Sequence, residues 1–153
     1  MEKKILLVED DPDHAEIITE IMLDGHGYNN IEKEIILMKD GQEAIDYLEK
    51  AETNFDNEVS SQIELVLLDL NLPKVEGMEV LKYIKKSIKF RSVPVVILST
   101  SSDKKTIAKA YDNGADSFIV KPISYDEFAR KLMAMEEYWL IKYVGCSKFA
   151  ESR

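Results

Sequence analysis

Three short apolar runs, far apart in the chain, each end in charged or oxygen-bearing residues: LLVEDD at Leu6–Asp11, LVLLDLNLP at Leu65–Pro73 and FIVKP at Phe118–Pro122. Each run is rich in Val, Ile and Leu and lacks apolar–polar alternation, the pattern of a strand buried on both faces in a parallel sheet covered by helices. In such sheets ligands bind beyond the carboxyl ends of the strands. Glu9, Asp10, Asp69 and Lys121 all fall there. Carboxylates that converge repel one another and resist full ionisation unless a cation sits among them. An all-oxygen donor set suits a hard divalent ion such as Mg2+, which keeps some of its waters and can also meet a phosphate. The lysine adds a compact positive charge for a phosphoryl oxygen. The pattern therefore predicts a small magnesium and phosphoryl site.

Strand and helix signals alternate along the rest of the chain. After a strand at Lys4–Val8, Asp11 can cap a helix with Pro12 at its first position and Ile17, Ile18, Ile21 and Met22 on its apolar face, stopped by Gly25 and Gly27. A second strand is expected at Glu34–Met38. Asp40 and Gly41 then turn into a helix that faces Ala44, Ile45 and Leu48 inward. A third strand spans Leu65–Asp69, Pro73 closes the loop after it, and Gly77 opens a helix with Val80, Leu81 and Ile84 at helical spacing. The fourth strand is Pro94–Leu98, and the fourth helix runs from about Lys104 to Asn113, ending at Gly114. The fifth strand is Ser117–Val120, and a capping box of Ser124 and Glu127 starts the fifth helix. Five strands alternating with five helices predict an α/β fold, a flavodoxin-like (βα)5 doubly wound sheet of five parallel strands in the order 2-1-3-4-5. That order brings the acidic pair, Asp69, Ser99 and Lys121 to one edge. The polar stretch Glu49–Glu64 is long for a helix-to-strand link, and reads as a solvated surface insertion or a loop that contacts a partner.

Composition narrows the function classes. At 153 residues the chain suits a single domain, 1–153, with an extended C-terminal helix or tail over about 131–153. A net charge of −9 argues against nucleic acid, whose phosphates need concentrated Lys and Arg. No apolar stretch approaches the roughly 20 residues needed to cross a bilayer, and MEKK leads straight into a strand without a cleavable signal, so no membrane association and a cytoplasmic location are expected. The single cysteine, Cys146, has no partner for a disulfide or a CxxC site, and reads as an incidental thiol. With only His14 and His26 present, a histidine-based metal site is not expected.

The acidic pair, the DLNLPKVEG stretch at Asp69–Gly77, Ser99 after the fourth strand and the Lys121-Pro122 pair occur together and in order. In this the chain resembles the receiver domain of two-component response regulators over about Lys3 to Arg130. The resemblance implies that Asp69 accepts a phosphoryl group from a histidine kinase or phosphotransfer protein. It also implies that Glu9, Asp10, Asp69 and the backbone carbonyl of Asn71 hold Mg2+; Asp11 extends the acidic run and is read as the helix cap instead. By the same resemblance Lys121 neutralises phosphoryl charge, Ser99 is the switch hydroxyl, Phe118 is the aromatic that swings in behind it, and Pro122 follows a cis peptide bond. The chemistry agrees, since a carboxylate oxygen can attack phosphorus in line once the transferring charge is neutralised. Phosphorylation then becomes a packing change on the face formed by the fourth helix, fifth strand and fifth helix.

Phe128, Leu132, Met135, Trp139 and Tyr143 form one stripe of the fifth helix, while Met133, Leu140 and Val144 form a second. Two stripes imply two surfaces, met by a symmetric homodimer through that signalling face or by a tail folded back on its own domain. The long loop and aromatic C-terminal helix are similar to the small stand-alone regulators paired with phytochrome-type histidine kinases, which makes such a kinase a possible partner. The expected function is a stand-alone response regulator, not an enzyme beyond its own phosphorylation and dephosphorylation. A phosphate sink or phosphorelay intermediate would carry the same site. A magnesium-dependent phosphohydrolase would want a general acid two residues after Asp69, where Asn71 stands.

Overall fold

The computed structural model describes residues 3–24, 32–53 and 63–142. Among them five strands, β1 (Lys3–Val8), β2 (Lys33–Met38), β3 (Ile63–Asp69), β4 (Val95–Ser99) and β5 (Ser117–Val120), alternate with five α-helices. The helices are α1 (Pro12–Leu23), α2 (Gly41–Thr53), α3 (Gly77–Lys86), α4 (Lys104–Asp112) and α5 (Tyr125–Glu136). All strand pairs are parallel, and the sheet order is β2-β1-β3-β4-β5, the flavodoxin-like arrangement expected.

The continuous apolar runs divide their side chains between two layers, because successive strand residues point to opposite faces. Leu6, Val8, Val66, Leu68, Val95 and Ile97 pack under Ala44 and Leu48 of α2, Val80, Leu81 and Ile84 of α3, and Ala110 of α4. Ile5, Leu7, Leu65, Leu67, Val96 and Leu98 pack under Ile18 and Met22 of α1 and Phe128 and Leu132 of α5. Burial of a Leu or Ile side chain of this kind contributes about 1.5–3 kcal/mol. Polar residues in these runs would sacrifice that on either face, which is why the pattern does not alternate. Gly114 ends the α4 turn with φ +101°, a conformation that a side chain would strain.

Register fixes the site. Val8 pairs with Leu68, so Glu9 lies beside Asp69; Ser99 pairs with Val120, so Lys121 emerges one step beyond. The strand ends form a short stair that leads these residues to one edge.

Several boundaries depart from expectation. β4 begins at Val95 and takes in Ser99, and β1, β2 and β3 start one to two residues earlier than their apolar runs suggest. Much of the expected Glu49–Glu64 loop is regular structure. α2 continues to Thr53 because Ala51 is buried and Glu52 accepts hydrogen bonds from Tyr83 Oη (3.1 Å) and Ser87 Oγ, while β3 starts at Ile63. Residues 54–62 lie outside the described residues, as do Gly25, Gly27, His26, Tyr143, Val144 and Cys146.

The last helix changes its winding. After Glu136 it becomes a π-helical segment, Glu137–Lys142. Widening from i→i+4 to i→i+5 brings Leu140 onto the face of Met135, and Leu140 is buried in the α1/α5 layer with Met133 packed against it. Met133 and Leu140 therefore serve the chain's own core and form no second outward stripe. No helix among the described residues is long and apolar enough to cross a membrane.

Candidate functional site: an acidic triad closed by one lysine

The carboxyl ends of β1, β3 and β5 deliver three carboxylates and an ammonium to one place. Oxygens of Glu9, Asp10 and Asp69 all lie within 4.8 Å of one another. Lys121 Nζ donates to Glu9 Oε1 at 2.5 Å and to Asp69 Oδ2 at 3.3 Å. Asp69 accepts the Asn71 amide on its other oxygen, Oδ1, at 3.0 Å. Glu9 and Asp69 are buried, at 1% and 6% exposure, whereas Asp10 is exposed. Asp10 opens onto a groove of about 750 Å3 between α1 and β2, lined also by Pro12, Ala15, Leu37 and Lys39.

Burial is the main reason that the Glu9 carboxyl is pushed up to about 8; the neighbouring Asp69 adds to this and Lys121 opposes it. A proton is thus held where a cation would otherwise balance the charge. The donor set is all oxygen, the group is compact and its charge is under-compensated by one lysine, all of which fit a hard divalent ion.

Local sequence explains the positions. Asp11 caps α1, accepting from the amides of Asp13 (2.9 Å) and His14 (3.3 Å), and Pro12 occupies the first helical position. Those contacts, the His14 amide foremost, hold the Asp11 carboxyl below its usual range. Asp11 is therefore committed to the helix, as its place in the sequence suggests. The loop after Asp69 is tight: Val75 N donates to Pro73 O at 2.8 Å around Lys74, whose φ of +67° makes this a γ-turn. Gly77 then starts α3 so close to β3 that a Cβ there would lie 2.3 Å from the Asp69 carbonyl oxygen.

Ser99 is buried, and its Oγ accepts the Ser101 amide at 3.1 Å. Ser101 Oγ accepts the Asp103 amide at 3.2 Å, and Asp103 caps α4. A chain of short contacts thus joins the hydroxyl to the helix start. Phe118 is half-buried against the α2–α4 layer and lines a groove of about 320 Å3 with Tyr111, Met135, Tyr138 and Trp139.

The Pro122 expectation is corrected. The peptide bond between Lys121 and Pro122 is trans, the form favoured by about 0.5–1 kcal/mol for a bond before proline. The trans form already brings Lys121 Nζ to both carboxylates while its amide donates to Ser99 O at 2.7 Å.

His14 belongs to the site, although no motif marks it. Its Nδ1 lies 3.1 Å from Lys121 Nζ and 3.7 Å from Glu9 Oε1. The signal available in the sequence is its place three residues after the cap, on the first turn of α1, where a helical side chain leans back towards the strand ends.

Residues 5–133 match the family described as response regulator receiver domain. A protein called "Probable methanogenesis regulatory protein FilR2", from Methanothrix harundinacea strain 6Ac, is 40% identical over 136 residues, 89% of this chain and 83% of that protein. The phosphorylated cyanobacterial phytochrome response regulator RcpA is 34% identical, with a TM-score of 0.80 over 93% of this chain and 96% of that one. Response regulator Rcp1 of a Synechocystis strain is 31% identical over 138 residues, 90% of this chain and 89% of that protein. Its Mn(2+)-bound form has a TM-score of 0.77 over 91% of this chain and 95% of that one.

Proposed function

This chain belongs to the response regulator receiver family, and from that premise we propose that it is a stand-alone response regulator that accepts a phosphoryl group on Asp69. The observation that carries the reading is the meeting of Lys121 Nζ with both Glu9 and Asp69 beside Asp10, three strand ends converging on one buried carboxylate. An oxygen of Asp69 attacks the phosphorus of a phosphohistidine on a histidine kinase or phosphotransfer protein. The phosphorus–nitrogen bond breaks, its electron pair returns to the imidazole, and an acyl phosphate forms. Glu9, Asp10, Asp69 and the Asn71 carbonyl are the groups that would hold Mg2+, which supplies charge neutralisation to the phosphoryl oxygens when bound. Lys121, whose Nζ meets Glu9 and Asp69, would supply the rest. The likeness to the phytochrome response regulator RcpA favours a phytochrome-type kinase as the donor.

Output follows from Ser99. Turning its hydroxyl towards a phosphoryl oxygen gives up the Ser101 amide and slackens the chain of contacts to α4, and Phe118 can then pack inward behind it. The face of α4, β5 and α5 is the surface altered. We assign symmetric association of two copies to it on its exposed Tyr111 and Tyr138 and its groove, since Leu140 is spent on the chain's own core. The protein would act as a single domain in the cytoplasm, without direct contact with nucleic acid or membrane, and turn over no substrate besides its own acyl phosphate.

The test is incubation with acetyl phosphate and Mg2+, read by mass spectrometry, with Asp69→Asn as control. One phosphoryl group on Asp69 is expected. Modification that persists in Asp69→Asn, or that ignores chelation of Mg2+, contradicts the reading.

A further inference from the structure

Lys121 carries three ammonium hydrogens, and three acceptors surround them: Glu9 Oε1 at 2.5 Å, His14 Nδ1 at 3.1 Å and Asp69 Oδ2 at 3.3 Å. The lysine side chain is 6% exposed, so water has little access to replace a lost partner. Two of the three acceptors are groups that change partners during phosphoryl transfer. Glu9 is a carboxylate that would turn to a cation, and Asp69 becomes the acyl phosphate. His14 alone among them has no part in either event.

An ammonium only donates, so the nitrogen facing it presents a lone pair. The ring is held for this. His14 sits on the first turn of α1, its amide bound to Asp11 Oδ1; carboxylate oxygens lie at similar distances from both ring nitrogens (Glu9 Oε1 3.7 Å from Nδ1, Asp11 Oδ2 3.8 Å from Nε2), and the Lys121 ammonium 3.1 Å from Nδ1 makes that nitrogen the acceptor. The ring also lines a cavity of about 140 Å3 with Lys121, Pro122 and Phe128, packed between α1 and the start of α5.

We propose that His14 is the positioning residue for Lys121, its Nδ1 holding the ammonium over Asp69 while the carboxylates change partners. The role rests on Asp69 being the phosphoacceptor. In the charge-developing step the lysine then keeps its place without relying on Glu9. A lysine without this contact would drift towards Glu9 and meet the transferring group less often in line.

The experiment uses the full chain with acetyl phosphate at saturating Mg2+, following the rate of Asp69 modification by mass spectrometry and Mg2+ affinity by calorimetry. His14→Ala is expected to slow modification about tenfold, the order of one charge-assisted hydrogen bond lost from the transition state. Mg2+ affinity and melting temperature should stay at the wild-type values. His14→Asn, whose Oδ1 occupies nearly the place of Nδ1, should recover most of the rate. A wild-type rate in His14→Ala overturns the role, as does His14→Asn as slow as His14→Ala, or a defect accompanied by weakened Mg2+ binding. Failure of the wild type to be modified at Asp69 would instead bring down the assignment of Asp69, and this role with it.

Discussion

Lys33 Nζ donates to the Glu136 carboxylate, joining the start of β2 to the end of α5 with both side chains 6% exposed. The pair lies one residue before the helix changes to π winding, at the end of the sheet opposite the acidic triad. Removing one partner of a buried pair strands the other charge, at a cost of about 3–5 kcal/mol, whereas replacing both with apolar groups can be nearly neutral. Glu136→Leu should therefore lose about 3 kcal/mol or more in urea denaturation, and Lys33→Met with Glu136→Leu should regain most of it. Equal losses in the single and double variants would show that the ion pair has no such energetic role.

At the proposed metal site, Glu9 should link metal affinity to pH. Its carboxyl sits near 8, raised by burial from 4.5, so between those values the folded chain keeps a proton that the unfolded chain has released. Stability of the metal-free protein should then fall as pH rises through this window and level off above about 8. A divalent cation must displace the same proton, so Mg2+ affinity should rise with pH, at most about tenfold per unit, up to the same limit. Calorimetric titration at pH 6, 7 and 8.5 checks both the affinity and the proton released. Affinity unchanged between pH 6 and 8 would mean that Glu9 is already ionised.

Strain is stored in the loop after Asp69. Lys74 adopts φ +67° in the γ-turn between Pro73 and Val75, a region that costs a side chain about 1–2 kcal/mol. Its ion pair with Asp40, 3.4 Å long and 69% exposed on the lysine side, returns little. Glycine would remove the strain but add unfolded-state entropy of about 0.4–1 kcal/mol. Lys74→Gly should raise stability by about 0.5 kcal/mol, and Lys74→Val, β-branched, should lower it by more than about 1 kcal/mol. Denaturant midpoints in which valine equals lysine would contradict the turn.

The fold and the central site were legible because burial and chemistry speak in the same residues. Leu65–Asp69 is apolar without alternation since both faces of β3 are covered, and Asp69 stands out for ending it. The Asp11–Pro12 and Ser124–Glu127 starts of α1 and α5 follow from unsatisfied amides that only certain side chains can meet. Less legible were features set by long-range contacts. Whether α2 stops at Glu49 or Thr53 depends on Glu52 meeting Tyr83 and Ser87, more than 30 residues away. Leu140 turns inward through a π-turn that no α-helical periodicity contains. His14 enters the site through a lysine 107 positions later. Pro122 shows the opposite limit, a resemblance extended to a peptide isomer that the local geometry does not need.

On the proposed function, substitution of Ser99 should separate phosphorylation from response. Its Oγ holds the Ser101 amide, and neither group touches the carboxylates in the contacts that Lys121 makes. Ser99→Ala should therefore still bind beryllofluoride and Mg2+ at Asp69, within several-fold of the wild-type affinity. What it lacks is the hydroxyl that, on the proposed function, would carry the event through Ser101 to α4 and make room for Phe118. The chain's one tryptophan, Trp139, lines the same groove as Phe118 and donates from Nε1 to Ser117 Oγ at 3.1 Å, beside Phe118 on β5. Its fluorescence should change on addition of beryllofluoride to the wild type and to Ser99→Thr, and stay nearly constant in Ser99→Ala. A full fluorescence change in Ser99→Ala at saturating beryllofluoride would mean that the rearrangement reaches the α4–β5–α5 face by a route that bypasses this hydroxyl.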